Sequence, residues 1–310
     1  MIKRILVGWF VLVLLTALIG RVSVAAPDGG RTAADFLQIG VLANSAAMGG
    51  AYSAVAEGAG ACFTNPAGLA ATTRPEVLLS HFSWYQSLNL EHGSVALPLT
   101  NRLVLGGAIT FLSYGSMEGY DRDGAPTGNI SAYDWAGGVT VGYQTGVGLA
   151  VGVTGKFINQ KLADANASTF AADIGARYQL GKFIFGATAT NLGGTMQFYS
   201  TKEKLPTSTR IGVAVAPFGN SFLTSVDLEK KAYGETVIHH GGQFAYRDQY
   251  FVRAGYNYYP DRDYRSLGTG VSFGGGIRFG GLTIDYAFTP GDSQVADDLH
   301  RFSLGIALTR

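Results

Sequence analysis

The stretch Val147-Gly148-Leu149-Ala150-Val151-Gly152-Val153-Thr154-Gly155-Lys156-Phe157-Ile158-Asn159 alternates in character. Its odd positions carry Val147, Leu149, Val151, Val153, Gly155 and Phe157. Its even positions carry Gly148, Ala150, Gly152, Thr154 and Lys156. Successive side chains of a β-strand point to opposite faces, so this is a strand with one apolar face and one small or polar face.

The same period continues on both sides. Phe170, Ile174, Tyr178 and Leu180 oppose Ala171, Asp173, Gly175 and Arg177. Leu282, Ile284, Tyr286 and Phe288 oppose Thr283, Asp285 and Ala287. Phe302, Leu304, Ile306 and Leu308 oppose Arg301, Ser303, Gly305 and Ala307. About fourteen such segments run from Glu76 to the carboxy terminus, most near the ~10 residues that a tilted strand needs to cross a bilayer. Short connections such as Thr100-Asn101-Arg102, Gly181 and Gly280-Gly281 alternate with longer polar ones: Gly115–Ala132, Lys161–Thr169, Gly193–Ser208, Lys230–Thr236, Pro260–Leu267 and Pro290–His300. The first hairpin, with a short outer turn near Gln86, departs from that rule.

A soluble sandwich has no reason to alternate short and long connections, whereas an outer-membrane barrel does. Hydrocarbon leaves a free strand edge unsatisfied, so spanning strands close into a barrel. The expected fold is therefore all-β: a transmembrane antiparallel β-barrel of about fourteen strands, with the apolar face to lipid. Trp84, Tyr85, Tyr114, Tyr133, Trp135, Tyr143, Tyr178, Tyr246 and Tyr259 fall near strand ends, where aromatic girdles belong. A charge facing the midplane costs ~2–4 kcal/mol for Arg or Lys. Asp173, Arg177, Arg210, Arg253, Arg278, Asp285 and Arg301, together with Lys156, are thus expected to point inward as a lumenal charge network.

Composition agrees. The 310 residues include 44 glycines, roughly twice the usual ~7 %. Charged residues make up only 15 %, and aromatics reach 12 %, which excludes a disordered chain. Lys3 and Arg4 precede an apolar run from Ile5 to Gly20, followed by Ser23, Val24 and Ala25. That is a signal-peptide pattern, with residues 1–25 removed. Its loss takes Lys3, Arg4 and Arg21 away and moves the net charge from +1 to −2. No nucleic-acid footprint remains. The single Cys62 excludes a disulfide framework and a thiolate metal site, and no metal or cofactor is expected.

Residues 26–75 do not alternate and are rich in Ala and Gly. A barrel of fourteen strands has an interior wider than its side chains can fill, which such a segment could occupy. Its motifs are recognisable: Gln38-Ile39-Gly40, then Ala47-Met48-Gly49-Gly50-Ala51-Tyr52, then Thr64-Asn65-Pro66-Ala67-Gly68-Leu69, with Leu205-Pro206 and Arg210-Ile211-Gly212 opening a later strand. These resemble the PorV/PorQ group of FadL-like outer-membrane barrels. The resemblance implies an amino-terminal lumenal hatch at 26–75, with Asn65, Pro66, Ala67 and Gly68 as its hatch motif, before an outer-membrane barrel at 76–310. Glu57 alone stands where that group usually carries aspartates, and the chain ends in Arg310 rather than an aromatic residue.

The resemblance implies one of two functions. The first is a non-catalytic binding or shuttle component of type IX protein secretion, partnered by secreted cargo and a translocon. The second is a FadL-like passive channel for long-chain fatty acids or other hydrophobic compounds. Either would place the chain in outer-membrane lipid of a Gram-negative-type bacterium. A third reading, a barrel lipid hydrolase, rests on His92 and Ser94 sharing a strand face, with no third residue identifiable to orient the histidine. His239 and His240 point to opposite faces and make a poor metal pair. Cys62 beside Phe63 reads as a buried small hydrophobe.

Overall fold

A computed structural model describes residues 32–83, 88–115, 117–146, 148–198, 200–232, 234–260, 270–291 and 298–308. The signal-peptide expectation, like Trp84, Tyr85 and the first outer turn, lies outside the described residues. Eighteen strands follow in order: β1 Glu76–Ser83, β2 Asn89–Pro98, β3 Leu103–Ser113, β4 Met117–Tyr120, β5 Pro126–Ile130, β6 Ala132–Gln144, β7 Leu149–Leu162, β8 Ala165–Leu180, β9 Phe183–Gly193, β10 Thr195–Phe198, β11 Thr201–Lys204, β12 Ser208–Val215, β13 Phe222–Lys231, β14 Thr236–Tyr246, β15 Tyr250–Tyr258, β16 Val271–Phe279, β17 Leu282–Thr289 and β18 Leu299–Ala307.

Fourteen of them form one closed antiparallel barrel, and β1 pairs with β18 to close it. The remaining four make two small hairpins, β4–β5 and β10–β11. The alternation of the sequence becomes the two faces of the wall. Val151, Val153, Ile174, Phe273, Ile284 and Phe302 are exposed on the outside, Val153 at 54 % and Phe170 at 72 %. Their neighbours Gly152, Thr154, Asp173, Asp285 and Ser303 turn inward. Such an apolar exterior suits acyl chains rather than water.

Three expectations need correction. Lys161–Thr169 is not a loop: β7 and β8 continue through it in register, from Phe157↔Phe170 to Leu162↔Ala165, and turn on Ala163 and Asp164 alone. The polar composition misled, because a strand above the bilayer has no reason to keep an apolar face. Gly115–Ala132 and Gly193–Ser208 each carry a hairpin of their own. Tyr114 belongs to no girdle. It turns inward, packs on the lumenal core and donates its hydroxyl to Asp134 Oδ2 at 2.8 Å.

Residues 32–75 run inside the barrel. A one-turn helix, α1 (Ala43–Ala47), packs against β15–β18. The 3-10 turn Ala59–Cys62 lies on β1–β3, and the 3-10 turn Pro66–Ala71 lies on β3, β6, β7 and β8. The glycines of the inner face explain how a backbone fits there. A methyl group at Gly152 would overlap Pro66, one at Gly175 would overlap Asn65, and one at Gly255 would overlap Gly49. Toward the long-loop end the inner face changes character. Phe82, Leu90, Leu112 and Ile158 point inward and bury against Phe36, Val41 and Leu42.

Candidate functional site

The lumen is the candidate site, and polar side chains of the wall grip the inner segment mainly by its backbone. Asp227 Oδ2 accepts from Tyr52 N at 3.0 Å and from Ser53 N at 2.7 Å. Ser303 Oγ accepts from Ala43 N and Ser272 Oγ from Gly49 N. Arg177 Nε donates to Ala54 O at 2.9 Å, and its Nη2 pairs with Glu57 Oε1 at 2.8 Å. Arg301 Nε donates to Gly40 O at 2.7 Å while its guanidinium lies 4.1 Å above the Phe82 ring centroid. A loop backbone buried in a lumen must find hydrogen-bond partners somewhere, and these side chains supply them.

Asn65 is the pivot of the motif that carries the resemblance. It is fully buried and caps the 3-10 turn, its Oδ1 accepting from Ala67 N at 3.1 Å. Its Nδ2 donates to Ser53 O at 2.6 Å and to Ala176 O on β8 at 3.2 Å. Pro66 follows as the first residue of the turn, where its missing N–H costs nothing. Ala67 is buried, and Gly68 meets Ala56 so closely that no side chain fits.

Of the seven inward charges, Arg253 and Asp285 pair directly at 2.6 Å, both almost fully buried. Asp173 pairs with Lys156 at 2.8 Å. Arg210 donates to Gly50 O at 2.7 Å and pairs with Glu229 at 2.9 Å. Arg278 stays apart. It is exposed at the short-turn end of β16, where it stacks 5.0 Å from the Phe251 centroid. The charges therefore form separate clusters around the lumen rather than one network.

Sequence reasoning missed Asp227, Glu229 and the role of His239. The imidazole of His239 faces acceptors on both nitrogens: Gly49 O at 2.7 Å from Nδ1 and Glu229 Oε2 at 2.9 Å from Nε2. The available signal was parity, since Asp227, Glu229 and His239 all fall on inward positions of β13 and β14. His92 and Ser94 do share the inner face of β2, but His92 Nδ1 lies 2.9 Å from Thr110 Oγ1, and Ser94 Oγ has no partner among the described residues. The base–nucleophile contact of a hydrolase is not made. Among the described residues no three His, Cys, Asp or Glu side chains converge as a metal site.

No protein-family model matches the sequence, and no curated protein matches it. The fold does have solved counterparts. A crystal structure of the Pseudomonas putida toluene transporter TodX superposes with a TM-score of 0.61 at 16 % identity, covering 86 % of this chain and 98 % of that one. A second TodX structure gives 0.60 at 15 %, covering 84 % and 96 %. A Pseudomonas aeruginosa FadL homologue gives 0.55 at 12 %, covering 86 % and 97 %. At such identities the likeness is one of fold. The chain has the FadL-like barrel fold, and its closed wall and apolar exterior are those of a protein of the outer membrane.

Proposed function

We propose that the chain is a passive outer-membrane channel for small hydrophobic molecules, with 26–75 as its hatch and no catalytic role. One observation carries this reading. A pore for water-soluble solutes keeps a polar interior. Here the long-loop end of the lumen is apolar, with Phe82, Leu90, Leu112 and Ile158 closing on Phe36, Val41 and Leu42. The solved structures that share the fold include ones described as a toluene transporter and a FadL homologue, which favours this reading over the secretion shuttle. Residues 47–52 and 64–69 resemble the PorV/PorQ group in sequence, but the type IX role, with its cargo and translocon, draws no support from those structures.

The test is influx of radiolabelled toluene and oleate into asymmetric vesicles whose outer leaflet is lipopolysaccharide. Reconstituted protein should raise the rate several-fold. Equal rates with and without protein would sink the proposal.

A further inference from the structure

On the outside of the wall, β1–β3, β17 and β18 form a groove of about 540 Å³. Gly93 creates it. This residue faces outward on β2, in register with Leu79 on β1 and Ile109 on β3, and brings no side chain to fill the gap between them. A methyl group there would lie 3.6 Å from Leu79 and 3.9 Å from Ile109, in ordinary contact. Phe111, Phe302 and Leu304 raise the rims. The groove does not pierce the wall, because β1 pairs residue for residue with β2 and β18 along its whole length. At its long-loop end two ionisable side chains break the apolar surface. His81 Nδ1 lies 2.7 Å from Glu91 Oε1, and about half of each side chain is exposed, 47 % and 54 %. Both stand two residues from the long-loop ends of their strands. Phe111, Tyr133 and Trp135 follow near the same ends of β3 and β6. This is the level at which acyl chains join their headgroups and at which polar side chains are tolerated on the lipid face.

We propose that this groove holds one acyl chain of an outer-leaflet lipid, and that His81 and Glu91 bind a hydroxyl or amide group at the head of that chain. The wall faces acyl chains, so an acyl chain is what covers the groove. The polar pair then selects which one. A carboxylate accepts hydrogen bonds and donates none, so the pair calls for a ligand that carries a donor. The ester linkage of a glycerophospholipid has acceptors only. The amide-linked, hydroxylated chains of lipid A present N–H and O–H at that depth. A phosphate is not the anchor, because one placed on His81 would lie against the like charge of Glu91. The proposal is independent of the channel reading and rests on the orientation of the wall in the outer membrane.

The test uses the full-length protein in nanodiscs that hold lipid A and phosphatidylglycerol, both anionic, in equal amounts. Native mass spectrometry counts the lipids each chain keeps on release. We expect lipid A to be kept about fivefold over phosphatidylglycerol, as one net hydrogen bond gives. Gly93→Leu fills the groove and should lose the kept lipid. Gly155→Leu, outward on β7 with nothing within 4 Å of an added methyl, should keep it. The double variant His81→Phe with Glu91→Leu should hold the two lipids equally. A second reading uses 15N-histidine in the parent protein, which has five histidines, with His81→Phe to identify the His81 resonance. Lipid A should move that resonance and phosphatidylglycerol should not, which decides the matter if Gly93→Leu does not fold. Equal retention of the two lipids by the parent, retention that survives Gly93→Leu, or a His81 resonance that lipid A leaves in place each overturns the proposal. Toluene influx bears on the channel alone, so either reading can fail while the other stands.

Discussion

Asn65 makes three hydrogen bonds from a fully buried position, one along the chain and two to backbone carbonyls, of Ser53 and Ala176. Asn65→Ala should lower the unfolding free energy by about 2–4 kcal/mol, combining a lost cap with two lost hydrogen bonds to backbone carbonyls. Urea unfolding in detergent micelles reads this, and a loss under ~0.5 kcal/mol would show that the motif holds little. Arg253 and Asp285 form a different kind of contact. Arg253→Leu strands a buried carboxylate and should cost about 3–5 kcal/mol, while the double variant Arg253→Leu with Asp285→Leu should recover most of it. Cys62 belongs to the inner segment and is buried with its sulfur against β2 and β3, and burial pushes its thiol up to about 11. Roughly one thiol in a thousand is then ionised at pH 8. A maleimide should leave the folded protein unmodified over an hour at that pH and label it fully once denatured.

At the scale of elements, strand identity was legible because lipid enforces it: most outward positions from Val151 to Ile306 are apolar, Thr224 and His240 being exceptions that contact each other, and the period of two survives in the letters. Above the bilayer that pressure stops, so the ends of β7 and β8 were read as a loop although their pairing continues. The pairing of inward charges was not legible either. Arg253 sits opposite Gly274, and Asp285 opposite Gly276, so the two reach each other across β16, over a strand whose inner face there is bare. That depends on register among three strands, which no single stretch records. The glycines were visible as a small-residue face, but not as the negative imprint of the inner segment. Gly152→Val should therefore push Pro66 off the wall. Limited proteolysis should cut residues 32–75 in this variant and spare them in the parent. An identical digestion pattern would mean that the contact is dispensable.

For the whole molecule, the two faces of the wall make opposite demands. Val153→Arg places a guanidinium toward acyl chains and should cost up to ~2–4 kcal/mol in reconstituted bilayers, whereas Val153→Leu should be nearly neutral. A protein that stayed monodisperse without detergent would contradict the orientation altogether. One further consequence follows from the contacts between Gly152 and Pro66 on one side and Gly255 and Gly49 on the other. A ring already joined leaves no clearance for a peptide to be drawn past those points. Residues 49–66 must be seated while the seam between β1 and β18 is still open, so that biogenesis proceeds by wrapping and not by later threading.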